Sequence, residues 1–284
     1  MKTLIIYHNP CSDGMASACI AKRHIQEAIL FPTNYGEDLP SDDLVKDANL
    51  YLLDFSYKYD QVKHLASLAK KIVIIDHHKT AEQELDNIDK RLGEEPDGPF
   101  LCNVECIFDM NKSGAVLTWE YFFPKDEVPG IIKHIQDRDL WELKMPYTEE
   151  ITAKLSSIGY SFEEWEYWLF VAPFGTIVSQ GQSILNYQDV CISLLKKMVM
   201  YRDVYGYKEI PIVNCATKSL QSKLIGDIAK GHPFAIGWYY DGAYNLSFRS
   251  DKDGIDVSEL AKSLGGGGHK HASGAIVRVF NYKR

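Results

Sequence analysis

Three short apolar runs, separated by helical patterns, most constrain how the N-terminal part of this chain can fold. The runs are LIIY (4–7), LYLLDF (50–55) and KIVIIDHH (71–78). Between them, helical periodicity covers residues 14–30 and 59–71. Continuous apolar strands that alternate with helices are typical of a parallel sheet covered by helices on both faces. The sequence therefore predicts an α/β domain here.

Ionisable side chains stand at the carboxyl end of each predicted strand: His8, Asp54, and the triplet Asp76-His77-His78. Parallel sheets bind ligands beyond this edge, and buried charges must be paired or solvated. Solvated strand ends, with Asp54 as a helix N-cap, are one interpretation. Three strands that together supply the ligands of a metal site are the other, and the convergence favours it.

Carboxylates mixed with imidazoles suit two divalent ions, and they select weakly among manganese, magnesium, cobalt and zinc. Two such ions clamp a phosphoryl group and lower the pKa of a bridging water, so that hydroxide can attack in line. The strand ends therefore indicate phosphoryl chemistry.

The pattern along the chain predicts two domains. Residues 1–175 form the parallel-sheet domain, and residues 176–203 form a long amphipathic linker helix. Residues 204–284 alternate strand and helix patterns, which indicates a smaller mixed α/β domain. Within the first domain, a helix is expected to begin after Ser113, and a second is expected to have Pro129 in its first turn.

Composition limits the functional class. The chain has 284 residues, of which 45% are hydrophobic and 25% charged, as in soluble globular proteins. No apolar run approaches the roughly 18 residues of a membrane helix, and the start of the chain does not match a signal peptide. With six scattered cysteines, this favours a cytoplasmic protein. The net charge of −8 argues against binding of long duplex DNA and favours a short anionic partner held in a local pocket.

The stretches YHNPCSDGMASA, LLDFS, IVIIDHHKT and IQDRDLW follow one another in this order, and LSFRS…GGGGHKHASGA comes near the end of the chain. The first four resemble the ligand-bearing motifs of the DHH phosphoesterase family, and the last resembles the associated C-terminal substrate-binding domain of that family. The resemblance implies a two-metal, usually manganese-dependent hydrolase of phosphodiesters or phosphoanhydrides. Its substrates would be single-stranded nucleic acid ends, short oligonucleotides, cyclic dinucleotides or pyrophosphate.

The resemblance also implies a role for each matching residue. The implied metal ligands are His8 for the first ion, Asp54 between both ions, and Asp13, His77 and Asp137 for the second ion. Asp139 is the alternative to Asp137 as the last ligand of the second ion, and Asp137 is preferred. Asp54 and His78 would be catalytic, with His78 donating to the attacked phosphate. Asp76 would orient an imidazole.

The first motif departs from the family pattern at Cys11, where most members have an aspartate. A thiolate is a softer ligand that favours zinc or iron over magnesium. Cys11 is either a ligand that influences the choice of metal or a small loop residue, and we expect the ligand role.

The C-terminal motif predicts a phosphate- or base-binding segment. Its residues are Gly266, Gly267, Gly268, His269 and His271. Glycines let backbone N–H groups approach a phosphate, although a helix C-cap also uses glycine. The family pattern adds Arg249, whose planar fork suits phosphate, and Lys79 beside the DHH triplet is expected to help.

Together these patterns predict a phosphodiesterase that releases nucleoside monophosphates from short single-stranded oligonucleotides or dinucleotides. The alternatives are a hydrolase of pyrophosphate, polyphosphate or a bisphosphorylated nucleotide, and a nucleotide-binding protein with little turnover. Oligomeric state stays open, with a homodimer as one possibility.

Overall fold

The computed structural model of the chain describes residues 2–93 and 103–280. The chain divides into two compact units, Met1–Gln182 and Ser183–Arg284. Among the described residues, none of the helices combines the length and the apolar composition needed to cross a bilayer.

The first unit contains a five-stranded parallel sheet. Its strands are β1 (Thr3–His8), β2 (Ile29–Thr33), β3 (Asn49–Leu53), β4 (Lys71–Asp76) and β5 (Val104–Phe108). They lie in the order β2-β1-β3-β4-β5, and every neighbouring pair is parallel. Tyr7 pairs with Leu53, and Leu53 pairs with Ile75. The residues that follow these three positions therefore leave the sheet side by side at one edge.

Helices connect the strands and cover both faces of the sheet. They are α1 (Ser12–His24), α2 (Asp42–Val45), α3 (Tyr59–Leu68), α4 (Lys79–Glu84), α5 (Ile88–Gly93), α6 (Gly114–Phe122), α7 (Gly130–Asp139), α8 (Thr148–Ser156), α9 (Phe162–Phe170) and α10 (Phe174–Lys196). Alternate strand residues enter two separate cores. Ile5 packs in the core that includes α1 and α6, whereas Leu4 and Ile6 pack in the core that includes α3. This arrangement confirms the predicted α/β fold class.

The second unit contains a mixed six-stranded sheet. Its strands are β6 (Met200–Val204), β7 (Tyr207–Asn214), β8 (Ala235–Tyr240), β9 (Tyr244–Arg249), β10 (Gly267–His269) and β11 (Ala272–Val277), with helices α11 (Lys218–Ala229) and α12 (Val257–Ser263). The order is β10-β11-β9-β8-β7-β6, in which β7 and β8 are parallel and the other pairs antiparallel.

Two helices are shorter than their periodicity predicts, because the residues that follow them pair as strands. Helical periodicity extends over residues 14–30, but α1 ends at His24, and Ile29–Thr33 pair with β1 as an edge strand. The predicted linker helix over 176–203 likewise ends at Lys196, because Met200–Val204 pair with β7. In both cases strand pairing overrides local helical periodicity. The boundary between the two units lies inside α10.

Candidate metal centre

The edge of the parallel sheet sets the backbone of the candidate site. His8 ends β1, and Asp54 directly follows β3, where its N–H donates to the carbonyl of Ile75 on β4. Asp54 has a φ of 52°, in the left-handed region that non-glycine residues rarely adopt. Such strain is characteristic of functional positions. The Asp54 carboxylate is buried, with 1% of its surface exposed.

Side chains of the types that bind metal ions meet at this edge in three overlapping groups. The groups are His8 with Cys11 and Asp54, Asp54 with His77 and His78, and Asp13 with His77 and Asp139. Within each group, the candidate ligand atoms lie within 4.8 Å of one another. Because Asp54 and His77 each belong to two groups, the arrangement has the form of two adjacent cation sites that share ligands.

The imidazole of His77 lies among three carboxylates. Its Nε2 is 3.1 Å from Asp54 Oδ1, 3.4 Å from Asp139 Oδ2 and 3.7 Å from Asp13 Oδ2. Burial disfavours the charged imidazole, but the hydrogen bond to Asp54 and the charge of Asp13 raise the pKa of His77 to about 9. In the metal-free protein, a proton on His77 thus offsets part of the surrounding negative charge.

The pKa values of Asp13 and Asp54 are shifted in opposite directions. Burial and then the charges of Asp54 and Asp139 raise the pKa of Asp13 well above its ordinary value. Burial also opposes ionisation of Asp54, yet the imidazoles of His77 and His8 lower its pKa to about 2. Like charges this close favour a shared cation or a shared proton.

Asp13 is held in place by the N-terminus of α6. Its carboxylate accepts the backbone N–H of Gly114 at 2.6 Å and that of Ala115 at 3.0 Å. A Cβ added at Gly114 would lie 2.7 Å from Asp54 Cβ and 3.0 Å from Asp13 Oδ2. Glycine at this position therefore lets the helix approach both carboxylates. The helix begins after Ser113, whose hydroxyl accepts the Val116 N–H, as its sequence predicts.

Asp76 fixes the orientation of His78. One Asp76 oxygen lies 2.6 Å from His78 Nδ1 and accepts the backbone N–H of His77, while the other accepts the Ser56 hydroxyl. The hydrogen bond to Asp76 raises the pKa of His78 despite burial. Since Nδ1 is engaged with Asp76, Nε2 is the ring nitrogen left for a ligand or a substrate.

Cys11 lies at the N-cap of α1, next to His8 and Asp54. Burial, followed by the charges of Asp54 and Asp13, raises the pKa of the thiol, although the N–H groups of Gly14 and Asp13 oppose this shift. A cation would be needed to favour the thiolate here.

The structure brings Asp139, and not Asp137, to His77. Both oxygens of Asp137 are engaged elsewhere: they accept the N–H groups of Lys144 and Met145 and the hydroxyl of Thr148. Asp137 thereby shapes the turn after α7, and Asp139 takes its place in the ligand set proposed below. Helical spacing does not separate the two residues, because Asp137 follows the buried His134 by three residues and Asp139 follows the buried Ile135 by four.

The expected substrate-binding residues lie in two places. Lys79 is exposed at the start of α4 in the first unit. In the second unit, Arg249 is in register with Ala272, at the hairpin that carries His269 and His271. Burial lowers the pKa of Arg249. His271 Nδ1 lies 2.9 Å from the hydroxyl of Ser250, which donates to the carbonyl of Ile255, so Nδ1 donates to Ser250.

Packing explains most of the predicted glycine segment. Gly265, with a φ of +79°, and Gly266 donate N–H groups to the last turn of α12, as a helix C-cap requires. Gly266 also packs against Gly274, and Gly268 has a φ of +135° beside Ser273. At Gly267 a Cβ would meet nothing within 4 Å. Phosphate binding by Gly266, Gly267 and Gly268 stays a prediction.

Comparison with known proteins connects this centre to a family. The family model of the DHH family, N-terminal domain, matches residues 2–134. Residues 2–134 therefore form a DHH-family N-terminal domain. Members of the family are metal-dependent phosphoesterases or hydrolases. The matched range includes every side chain of the three overlapping groups except Asp139.

Similarity to known proteins extends beyond this domain over almost the whole chain. The uncharacterized protein R106 of Acanthamoeba polyphaga mimivirus is 32% identical over 293 residues, which cover 95% of this chain and 66% of that protein. A solved DHH domain, from a member of a family of ribosomal proteins, shares the fold with a TM-score of 0.56 at 13% identity, covering 98% of this chain and 83% of the other. RecJ from Thermus thermophilus, solved in complex with Mn²⁺, has a TM-score of 0.50 at 12% identity. The match covers 97% of this chain and 49% of RecJ.

Proposed function

We propose that the chain is a two-metal phosphodiesterase that hydrolyses short oligonucleotides or dinucleotides to nucleoside monophosphates. The observation that carries the proposal is the overlap of the three ligand groups at Asp54 and His77. Adjacent sites that share a carboxylate hold two divalent ions close together, and such pairs act on phosphate esters.

The side chains present fit divalent cations. His8 Nδ1 and Asp54 Oδ2 are buried, have no hydrogen-bond partner among the described residues, and lie 3.4 Å apart. Buried polar atoms are rarely left unsatisfied, and a cation between these two would satisfy both. We propose His8, Cys11 and Asp54 as ligands of the first ion, and Asp13, Asp54, His77 and Asp139 as ligands of the second.

Manganese suits this set of oxygen and imidazole ligands, and the RecJ structure was solved with Mn²⁺. Divalent ions in such a pair polarise a phosphoryl oxygen and lower the pKa of a coordinated water. Cys11 is the one soft donor of the proposed set, so the first ion could also be zinc.

His78 would act directly on the substrate. With Nδ1 engaged by Asp76, the ring can direct an Nε2–H at a phosphate oxygen when it is protonated, the state that the hydrogen bond to Asp76 favours by raising the pKa of His78. The developing negative charge would then strengthen this hydrogen bond. Asp54 would keep the two cation sites together, which is a positioning role as much as a catalytic one.

The second unit is proposed to bind the nucleotide. Arg249 is half-buried and lies at the same end of the sheet as His269 and His271, where a guanidinium and two imidazoles could bind an anion. Lys79 would add charge beside the DHH triplet. The net charge of −8 favours a short substrate. The free thiols of the described cysteines are consistent with a cytoplasmic location, which we propose.

The test is release of nucleoside monophosphate from a 5′-phosphorylated dinucleotide with Mn²⁺, in the wild type, His77→Ala and His64→Ala. His64 is a matched control because it pairs with Asp42 at 2.8 Å on the surface. We expect release by the wild type and by His64→Ala, and its loss in His77→Ala.

Hydrolysis of pyrophosphate without release from the dinucleotide would contradict the proposed substrate class. Mn²⁺ binding without hydrolysis of either compound would contradict the proposed activity altogether.

A further inference from the structure

A cavity of about 370 Å³ adjoins the metal centre within the first unit. Asp13 and Asp139, two of the proposed ligands, form part of its wall. The remaining polar lining is supplied by residues that include Ser12, Arg138 and Thr152. The volume lies near the lower end of the ~300–1,000 Å³ typical of small-molecule pockets. A group bound at the second cation site would therefore face a small polar cavity.

Arg138 is a cation in this cavity without a carboxylate partner. In residues 2–93 and 103–280, no carboxylate oxygen lies within 4.0 Å of its guanidinium, and Glu149 and Asp139 act on it only from further away. Its side chain is half-buried, and burial lowers its pKa. A desolvated guanidinium with five N–H donors is costly unless an anion is bound.

The indole ring of Trp141 packs against the guanidinium of Arg138. The Arg138 Cζ lies 4.0 Å from the centre of the indole ring, a cation–π contact. Trp141 adopts a φ of 57°, and its N–H donates to the Arg138 carbonyl. The Asp137 carboxylate anchors the same turn through Lys144 and Met145. The edge of the guanidinium is thus presented by a fixed turn, which lowers the entropy cost of binding.

We propose that this cavity is a phosphate subsite, in which Arg138 binds the phosphate group of a nucleoside monophosphate unit beside the metal centre. Trp141 is a positioning residue that keeps the guanidinium aligned. The hydroxyls of Ser12 and Thr152 are additional donors in the wall. The identity of the ligand as a nucleotide rests on the proposed function, whereas the anion site rests on Arg138 and the cavity.

The subsite is tested by calorimetric binding of AMP to the full chain, with and without Mn²⁺. The variants are Arg138→Gln, Arg138→Lys and the control Arg23→Gln. Arg23 also lies over an aromatic ring, at 4.8 Å from the centre of Phe170, but it lines a different cavity. We expect AMP to bind about 10- to 100-fold more weakly to Arg138→Gln, with an intermediate loss in Arg138→Lys and none in Arg23→Gln.

Two further measurements separate an anion site from a general structural effect. Trp141→Ala should weaken AMP binding about 2- to 5-fold while Trp141→Phe retains most of it. Inorganic phosphate should show the same dependence on Arg138 as AMP. Wild-type affinity of Arg138→Gln for AMP and phosphate, or an equal loss in Arg23→Gln, would overturn the proposal.

Binding and turnover can fail separately. Should the dinucleotide not be hydrolysed but AMP binding still depend on Arg138, the proposed function fails and the subsite stands. Should the dinucleotide be hydrolysed while the AMP affinity does not depend on Arg138, the proposed function stands and the subsite fails.

Discussion

Replacement of Gly114 by alanine tests whether the α6 N-terminus positions the metal ligands. The added Cβ would lie 2.7 Å from Asp54 Cβ and 3.1 Å from Asp54 Cα. Two carbons pack at about 3.5 Å, so the helix and Asp54 must separate by about 0.8 Å. The backbone of Asp54 is already in the left-handed region and pairs with β4, so it cannot yield freely.

A displacement of this size should lower activity strongly and lower the free energy of unfolding only moderately. Misplacement of reacting groups by about 1 Å can lower rates about 100-fold. We expect Gly114→Ala to reduce kcat/KM for the dinucleotide about 10- to 100-fold and to weaken Mn²⁺ binding. Overpacking of a well-packed core typically lowers the free energy of unfolding by about 1–3 kcal/mol.

Gly130→Ala is the matched control, because Gly130 is also the first residue of a helix, and a Cβ there would meet nothing within 4 Å. It should leave Mn²⁺ binding unchanged and stabilise the protein by about 0.4–1 kcal/mol, because alanine reduces the entropy of the unfolded chain. Mn²⁺ affinity, kcat/KM and thermal unfolding are measured for both variants. Wild-type affinity and activity in Gly114→Ala would refute the argument that α6 sets the spacing of the carboxylates.

Three further results are expected. Asp139→Ala should weaken Mn²⁺ binding at least about 10-fold. Asp137→Ala should instead lower the free energy of unfolding by about 1–3 kcal/mol, since two N–H groups and the Thr148 hydroxyl lose their acceptor. Calorimetry of both variants measures these effects, and an exchange of the two effects would contradict the assignment. In the metal-free protein, His77 stays protonated up to its raised pKa of about 9. The stabilisation of the fold by this proton is complete below about pH 6.5 and is lost as the pH rises through about 9. The affinity for Mn²⁺ should therefore rise over that pH interval, and Mn²⁺ binding at about pH 7.5 should release protons, which calorimetry in buffers of different ionisation enthalpy measures. Cys11→Ser should weaken Zn²⁺ binding more than Mn²⁺ binding in a competition titration, because the thiolate is the softer ligand; an equal loss would place Cys11 outside the ligand set.

Strand ends were the most predictable part of the site. A parallel sheet has only one carboxyl edge, so His8, Asp54 and His77 had to meet once the apolar runs were interpreted as strands. The resemblance to the DHH family supplied Asp13, which belongs to a helix and has no such geometric constraint. Its partner, the N-terminus of α6, is about a hundred residues further along the chain, and no local pattern connects the two.

Side-chain direction at helix ends was not predictable from residue type. Asp137 and Asp139 have the same chemistry, and the choice between them depends on which helix face packs inward and on how the following turn is stabilised. The pair of Arg138 and Trp141 was missed for a similar reason. Their contact requires a left-handed residue two positions after the end of the helix, and the sequence has no glycine there to signal it.

The distribution of the proposed ligands along the chain has a consequence for folding. His8, Asp54 and His77 lie at the ends of β1, β3 and β4, and Asp139 ends α7, so each chelating atom arrives with a different element of the fold. No short fragment of the chain can bring them together, and the ion can bind tightly only after the non-local contacts have formed. Binding free energy then becomes folding free energy, about 2.7 kcal/mol at an ion concentration one hundred times the Kd. Occupancy by the ion would thus distinguish complete domains from incompletely folded ones.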